Sequence, residues 1–132
     1  MLKTYSGSCH CGALRFEADI DVTHGTYKCN CTICVKMRLW SFEVAPERMR
    51  ILAGQEYIQD YTYGEHRAHH WFCRRCGVRP FERVELAHKS YFNVSVVCLD
   101  GLDTNEIMAA PVHYQDGFRD AWDNTPEETR HL

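Results

Sequence analysis

A chain of 132 residues, 45% hydrophobic and 25% charged, is long enough for one domain with a modest core and too apolar for intrinsic disorder. A formal charge of −3 gives no ground for a nucleic-acid or membrane partner, and no apolar run follows Met1 that would make a signal peptide or membrane span. The expected compartment is a reducing cytoplasm, where eight cysteines at short spacing read as metal ligands rather than disulfides.

In chain order the pattern is mostly β. "ALRFEADI" (13–20) alternates, with Leu14, Phe16 and Ala18 on one side and Arg15, Glu17 and Asp19 on the other. "GTYKCNC" (25–31) reads as a short strand entering a cysteine cluster, and the stretch just after Cys34 has room for a turn or two of helix. "YIQDYTYG" (57–64) and "AHHWFC" (68–73) read as two further short strands. "YFNVSVVCL" (91–99) is the clearest strand: Tyr91, Asn93, Ser95 and Val97 share one face, and Phe92, Val94, Val96 and Cys98 the other. "TNEIMAAP" (104–111) predicts a short capped helix ending before Pro111. The tail from Gly117 to Leu132 is polar, with its last residues expected to fray. No repeat or linker interrupts the chain, so residues 1–132 are expected to form a single domain. Strands this short need stapling, which metal can supply.

Seven of the cysteines fall into three clusters: "CHC" at Cys9 and Cys11, "CNCTIC" at Cys29, Cys31 and Cys34, and "CRRCG" at Cys73 and Cys76. In an extended C-x-C, alternate side chains point the same way; a C-x-x-C turn followed by Gly77 brings two sulfurs onto one ion. Each pair supplies two ligands, so Cys9, Cys11, Cys73 and Cys76 together make a closed tetrahedral zinc site. The competing reading of C-x-x-C, a redox pair, belongs beside a βαβ pattern that this sequence lacks. Arg74, Arg75 and Arg79 would offset thiolate charge or form a solvated basic face.

The triplet combines both spacings, so its three sulfurs can converge on a second zinc with one position open. Three protein ligands and a free position are the mark of a catalytic zinc, and three thiolates suit one that holds an incoming thiol deprotonated. Two alternatives stand beside this. Cys98 or a histidine closes the site as fourth ligand, or Cys98 is an inert thiol on an apolar strand face.

"GSCHCGALRFE", "CNCTIC", "HHWFCRRCGVRPF", "NVSVVCLDGLD" and "HYQDG", in this order from Gly7 to about Trp122, resemble the glutathione-dependent formaldehyde-activating enzyme family, also called the centromere-protein-V/GFA domain. The resemblance implies an Mss4-like fold of several small coiled antiparallel sheets stapled by zinc, with a core over about residues 5–122. It implies Cys9, Cys11, Cys73 and Cys76 as structural zinc ligands and Cys29, Cys31 and Cys34 as ligands of a catalytic zinc, two ions per chain. It implies carbon–sulfur lyase chemistry: glutathione, or another small-molecule thiol, joins formaldehyde or another aldehyde as an S-hydroxymethylglutathione-type adduct, or the adduct splits. The run "CTICVKMRLW" departs from the family pattern at Thr32, Met37 and Arg38, positions expected to border the open site.

Such chemistry needs a proton donor for the alkoxide; His69, His70 and His113 are candidate donors or else structural and surface histidines, and the sequence singles out none as catalytic. Trp40 and Phe42 line a pocket or belong to the core; Lys36 and Arg38 bind substrate carboxylates or form a solvated basic patch. Two other functional classes compete: a zinc-stapled module that binds a protein or nucleic acid without catalysis, and a metal-buffering or redox-sensing role for exposed thiolates.

Overall fold

A computed structural model describes all residues, Met1–Leu132. β1 (Lys3–Ser8) and β2 (Arg15–Ile20) pair antiparallel, from Lys3 opposite Ile20 to Ser8 opposite Arg15. The alternation expected in β2 holds: Phe16, Ala18 and Ile20 are buried, while Arg15, Glu17 and Asp19 lie on the open face. β3 (Thr26–Cys29) delivers the chain to the triplet, which opens α1 (Thr32–Met37). This helix begins inside the motif rather than after Cys34, because Val35 N–H already donates to Cys31 O at 3.0 Å. β4 (Ser41–Val44) and β5 (Met49–Ala53) follow, and β5 joins the free edge of β2 to complete a three-stranded sheet.

The next two segments are more broken than expected. Only β6 (Ile58–Gln59) forms within "YIQDYTYG", and "AHHWFC" splits into β7 (Ala68–His69) and β8 (Phe72–Cys73). β6 pairs with β8 alone. Tyr61 and Tyr63 have no strand partner; they stack on each other with ring centroids 5.9 Å apart. β9 (Phe81–Glu85) and β10 (Ser90–Ser95) then make an antiparallel pair, with Phe92 opposite Arg83. The strand expected over 91–99 stops at Ser95, where its partner β4 runs out at Ser41. Val96–Cys98 form a 3-10 turn that throws Val97 into solvent, so the strict face alternation ends there.

α2 (Thr104–Ala109) is capped as predicted, with the Asp103 carboxylate accepting from Asn105 N–H at 2.8 Å. β11 (Val112–Gln115) runs parallel to β3, giving a six-stranded mixed sheet in the order β11-β3-β4-β10-β9-β7. The last residues, expected to fray, are placed against the body of the fold, where Lys28 Nζ donates to the Leu132 carbonyl at 3.1 Å. The fold is mostly β, in several small sheets. Its core lies between the two larger sheets, where Phe16 meets Phe81 edge-on at 5.3 Å and Phe42, Phe92 and Val94 fill the remaining space. Phe42 belongs to this core and Trp40 packs against it, with Trp40 Nε1 satisfied by Thr26 Oγ1 at 2.8 Å. No helix is long and apolar enough to cross a membrane.

Candidate metal centres and the adjoining cavity

Two groups of sulfurs each lie within 4.8 Å of one another: Cys9, Cys11, Cys73 and Cys76, and Cys29, Cys31 and Cys34. In the first, the chain turns sharply after β1 as Gly12 N–H donates to Cys9 O at 3.2 Å. Opposite it, Gly77 N–H donates to Cys73 O at 2.6 Å, and Gly77 adopts a φ of 76° that the tight turn requires. The Sγ–Sγ distances are 3.6 Å for Cys9–Cys11 and 3.8 Å for Cys11–Cys73. A zinc–sulfur bond of about 2.3 Å in a tetrahedron separates sulfurs by roughly 3.8 Å, whereas a disulfide needs about 2.05 Å. The spacing fits zinc, and the thiols are free. Around them Leu14, Tyr57 and Val78 form a small satellite core, and Arg74 and Arg75 sit over the Tyr57 ring, each at 5.4 Å.

In the second group, β3 carries Cys29 while Cys31 is the residue from which α1 starts and Cys34 lies one turn inside. The neighbouring Cys29 and Cys34 thiols, helped by backbone amides of the first helical turn, hold the Cys31 thiol well below its ordinary range. The proximity of Cys31 raises Cys29, and both neighbours raise Cys34. Three thiolates this close ionise together only around a cation, so this soft donor set also fits zinc. No fourth Cys, His, Asp or Glu joins the cluster. Cys98 does not close it: its sulfur faces Arg79 O at 4.0 Å and feels the charge of Cys9 and Cys76, at the other centre.

The triplet is anchored from behind. Asn30, between two of its cysteines, donates through Nδ2 to Asp116 Oδ1 at 2.9 Å and accepts from Phe118 N–H at 2.9 Å. In front, Cys29, Cys31 and Cys34 form part of the wall of a cavity of about 650 Å³. That size is typical of small-molecule sites. Tyr27, Tyr63, Tyr91, Ile33, Leu39 and Trp122 give it an aromatic and apolar lining; Arg67 and Lys89 are its cations. Burial first, and then the Glu43 and Glu82 carboxylates, push the Tyr91 phenol up to about 12. Of the two readings of Lys36 and Arg38, substrate cations or a solvated basic patch, the second fits, since both lie outside the wall; Arg38 takes the left-handed position that ends α1 and donates to His131 O at 3.5 Å.

The three candidate histidines separate cleanly. His69 pairs with Asp60 at 2.7 Å, and His113 stacks on Tyr27 and bonds the His24 carbonyl at 2.8 Å. His70 alone is buried and lines the cavity, with Nδ1 2.7 Å from Glu82 Oε2. Tyr63, Tyr91 and Glu82 lie outside the quoted motifs, and Asn93 opens "NVSVVCLDGLD" without being marked there as a site residue. Only the strand alternation that pairs Asn93 with Tyr91 on one face hinted at two of them.

A mostly β chain with two thiol clusters able to hold metal defines the class. The family model described as "Glutathione-dependent formaldehyde-activating enzyme" matches residues 4–115, and the chain belongs to this family. A protein from Rhodobacter sphaeroides, known from a crystal structure, is 25% identical, with a TM-score of 0.70; the match covers 82% of this chain and 99% of that one.

Proposed function

We propose that the protein is a carbon–sulfur lyase acting on a thiol–aldehyde adduct of the S-hydroxymethylglutathione type. The observation that carries this reading is the placing of three converging thiols, without a fourth ligand, on the wall of a cavity large enough for a peptide thiol. Cys29, Cys31 and Cys34 would hold the catalytic zinc, and Cys9, Cys11, Cys73 and Cys76 a structural one. At the triplet the ion would supply positive charge that lowers the pKa of an approaching thiol. The aromatic wall would exclude water from the bound adduct, and Arg67 and Lys89 would face the carboxylates of a glutathione-like peptide. Holding thiol and aldehyde in one cavity removes much of the entropic barrier to their joining. The whole chain would act as one zinc-stapled domain in a reducing compartment such as the cytoplasm, where its thiols stay free.

Metal counting on the native protein and on Cys31→Ser tests the division of labour. Two zinc ions per chain should fall to about one, with the circular dichroism of the fold retained. One ion in the native protein, or global unfolding of the variant, would contradict it. Exchange between labelled formaldehyde and its glutathione adduct, followed by NMR, tests the activity. A rate no faster than the uncatalysed exchange would favour the non-catalytic binding module.

A further inference from the structure

The adduct chemistry moves one proton for every carbon–sulfur bond made or broken, and the cavity wall holds few groups suited to move it. Its carboxylates are mostly engaged: Glu43 with Lys89, Glu65 with Arg67, Asp120 with Trp122 Nε1. Burial raises the phenols of Tyr63 and Tyr91 above their ordinary range, away from exchange at neutral pH. His70 is the one histidine in the wall.

Its surroundings form a built device. The His70 side chain is 5% exposed and that of Glu82 7%. Glu82 Oε2 lies 2.7 Å from His70 Nδ1, and its Oε1 accepts from Asn93 Nδ2 at 3.0 Å. A carboxylate at Nδ1 keeps that nitrogen protonated, so the lone pair of the neutral ring sits on Nε2. Nε2 makes no hydrogen bond within the protein, and His70 is a residue of the cavity wall. Tyr63 stacks on the ring at 5.7 Å with an interplanar angle of 19°, and Tyr61 packs at 6.2 Å, fixing its plane. Arg79 holds the backbone by donating to the His70 carbonyl at 3.4 Å. The groups facing the imidazole are therefore Glu82 from β9, Asn93 from β10, and Tyr61 and Tyr63 from the loop after β6. This burial is costly for a structural histidine, since a hydrophobic residue would fill the same space without a buried carboxylate to satisfy.

We propose that His70 is the proton-transfer residue of this cavity, with Glu82 and Asn93 as its positioning residues; the proposal rests on the lyase reading above. In the splitting direction His70 Nε2 takes the proton of the adduct hydroxyl. The oxygen lone pair forms the carbonyl, the carbon–sulfur bond breaks, and its electron pair leaves on the sulfur as thiolate. In the joining direction the thiolate adds to the aldehyde carbon, and the oxygen takes the proton back from the imidazolium.

The test uses the zinc-loaded protein with glutathione and formaldehyde. His70→Gln should lower the exchange rate by about 100-fold or more, the usual contribution of general acid–base catalysis, with zinc content unchanged and partial rescue by free imidazole. Glu82→Gln should keep the histidine and the zinc but lower the exchange rate and weaken the Nδ1–H tautomer preference seen by nitrogen NMR, because a neutral amide holds that proton less firmly than a carboxylate. Nitrogen NMR of the wild type should show the Nδ1–H tautomer at His70. Exchange within threefold of wild type in His70→Gln, or an Nε2–H tautomer, would overturn the proposal while leaving the lyase reading intact. Failure of the wild type itself to accelerate exchange would overturn both.

Discussion

Gly117 touches the triplet directly. A Cβ there would stand 2.7 Å from Cys29 Sγ and 2.6 Å from the Trp122 ring. The six-membered edge of the indole can swing a little, but a sulfur fixed by the proposed ion could not. Gly117→Ala should therefore displace Cys29 and weaken zinc at the triplet by about 10-fold or more, the range seen for disturbed ligand support. Competition with a chromophoric chelator measures it, and unchanged affinity would show that Trp122 absorbs the whole clash. The same scale explains why Gly7 is a glycine: the Phe16 ring, at the centre of the core, would lie 2.2 Å from its Cβ.

Among elements, the coupling of β3 to β11 decides how rigid the triplet is. The two strands pair in parallel through Gln115 opposite Cys29, and Asn30 N–H continues the ladder to Gln115 O at 3.2 Å. Asn30 then makes both of its side-chain bonds to the turn beyond β11. Asn30→Ala removes them and leaves the buried Asp116 carboxylate with only Arg119, 3.9 Å away, as a side-chain partner, which costs about 1–3 kcal/mol. Thermal melts should record that loss together with weaker zinc at the triplet, while the four-cysteine centre keeps its ion. A variant as stable as the wild type would mean that strand pairing alone carries the segment.

For the molecule as a whole, the two centres differ in what they hold together. Cys11 and Cys73 are 62 residues apart, so an ion there ties the end of β1 to the two-stranded sheet across a long loop. Cys29, Cys31 and Cys34 are neighbours in sequence, and an ion there closes almost nothing. A strong chelator should remove zinc in two phases. The first ion should leave with near-ultraviolet circular dichroism unchanged; the second should take tertiary structure with it, and added zinc should restore it. Acid should act in the same order of consequence, because protonation of the thiols competes with metal. Loss of structure with the first ion would contradict this assignment of roles.

Membership within each cysteine motif was legible in the chain itself, because C-x-C and C-x-x-C geometry is local, while the joining of the two pairs followed from counting four ligands per closed site. The face alternation of Leu14, Phe16 and Ala18 and the short helix within residues 104–111 were legible for the same reason, each depending on residues within a few positions. The strand at residues 91–99 was overread because its end is set by Ser41 on β4, which no local pattern contains. Tertiary structure alone decided that Cys98 lies by the other centre, that Phe42 is core with Trp40 packed against it, that Arg67 and Lys89 rather than Lys36 and Arg38 meet the cavity, and that His70 lines it while His69 does not. Each of these depends on which distant segments pack together, and burial of a side chain is a property of that packing rather than of its neighbours in sequence.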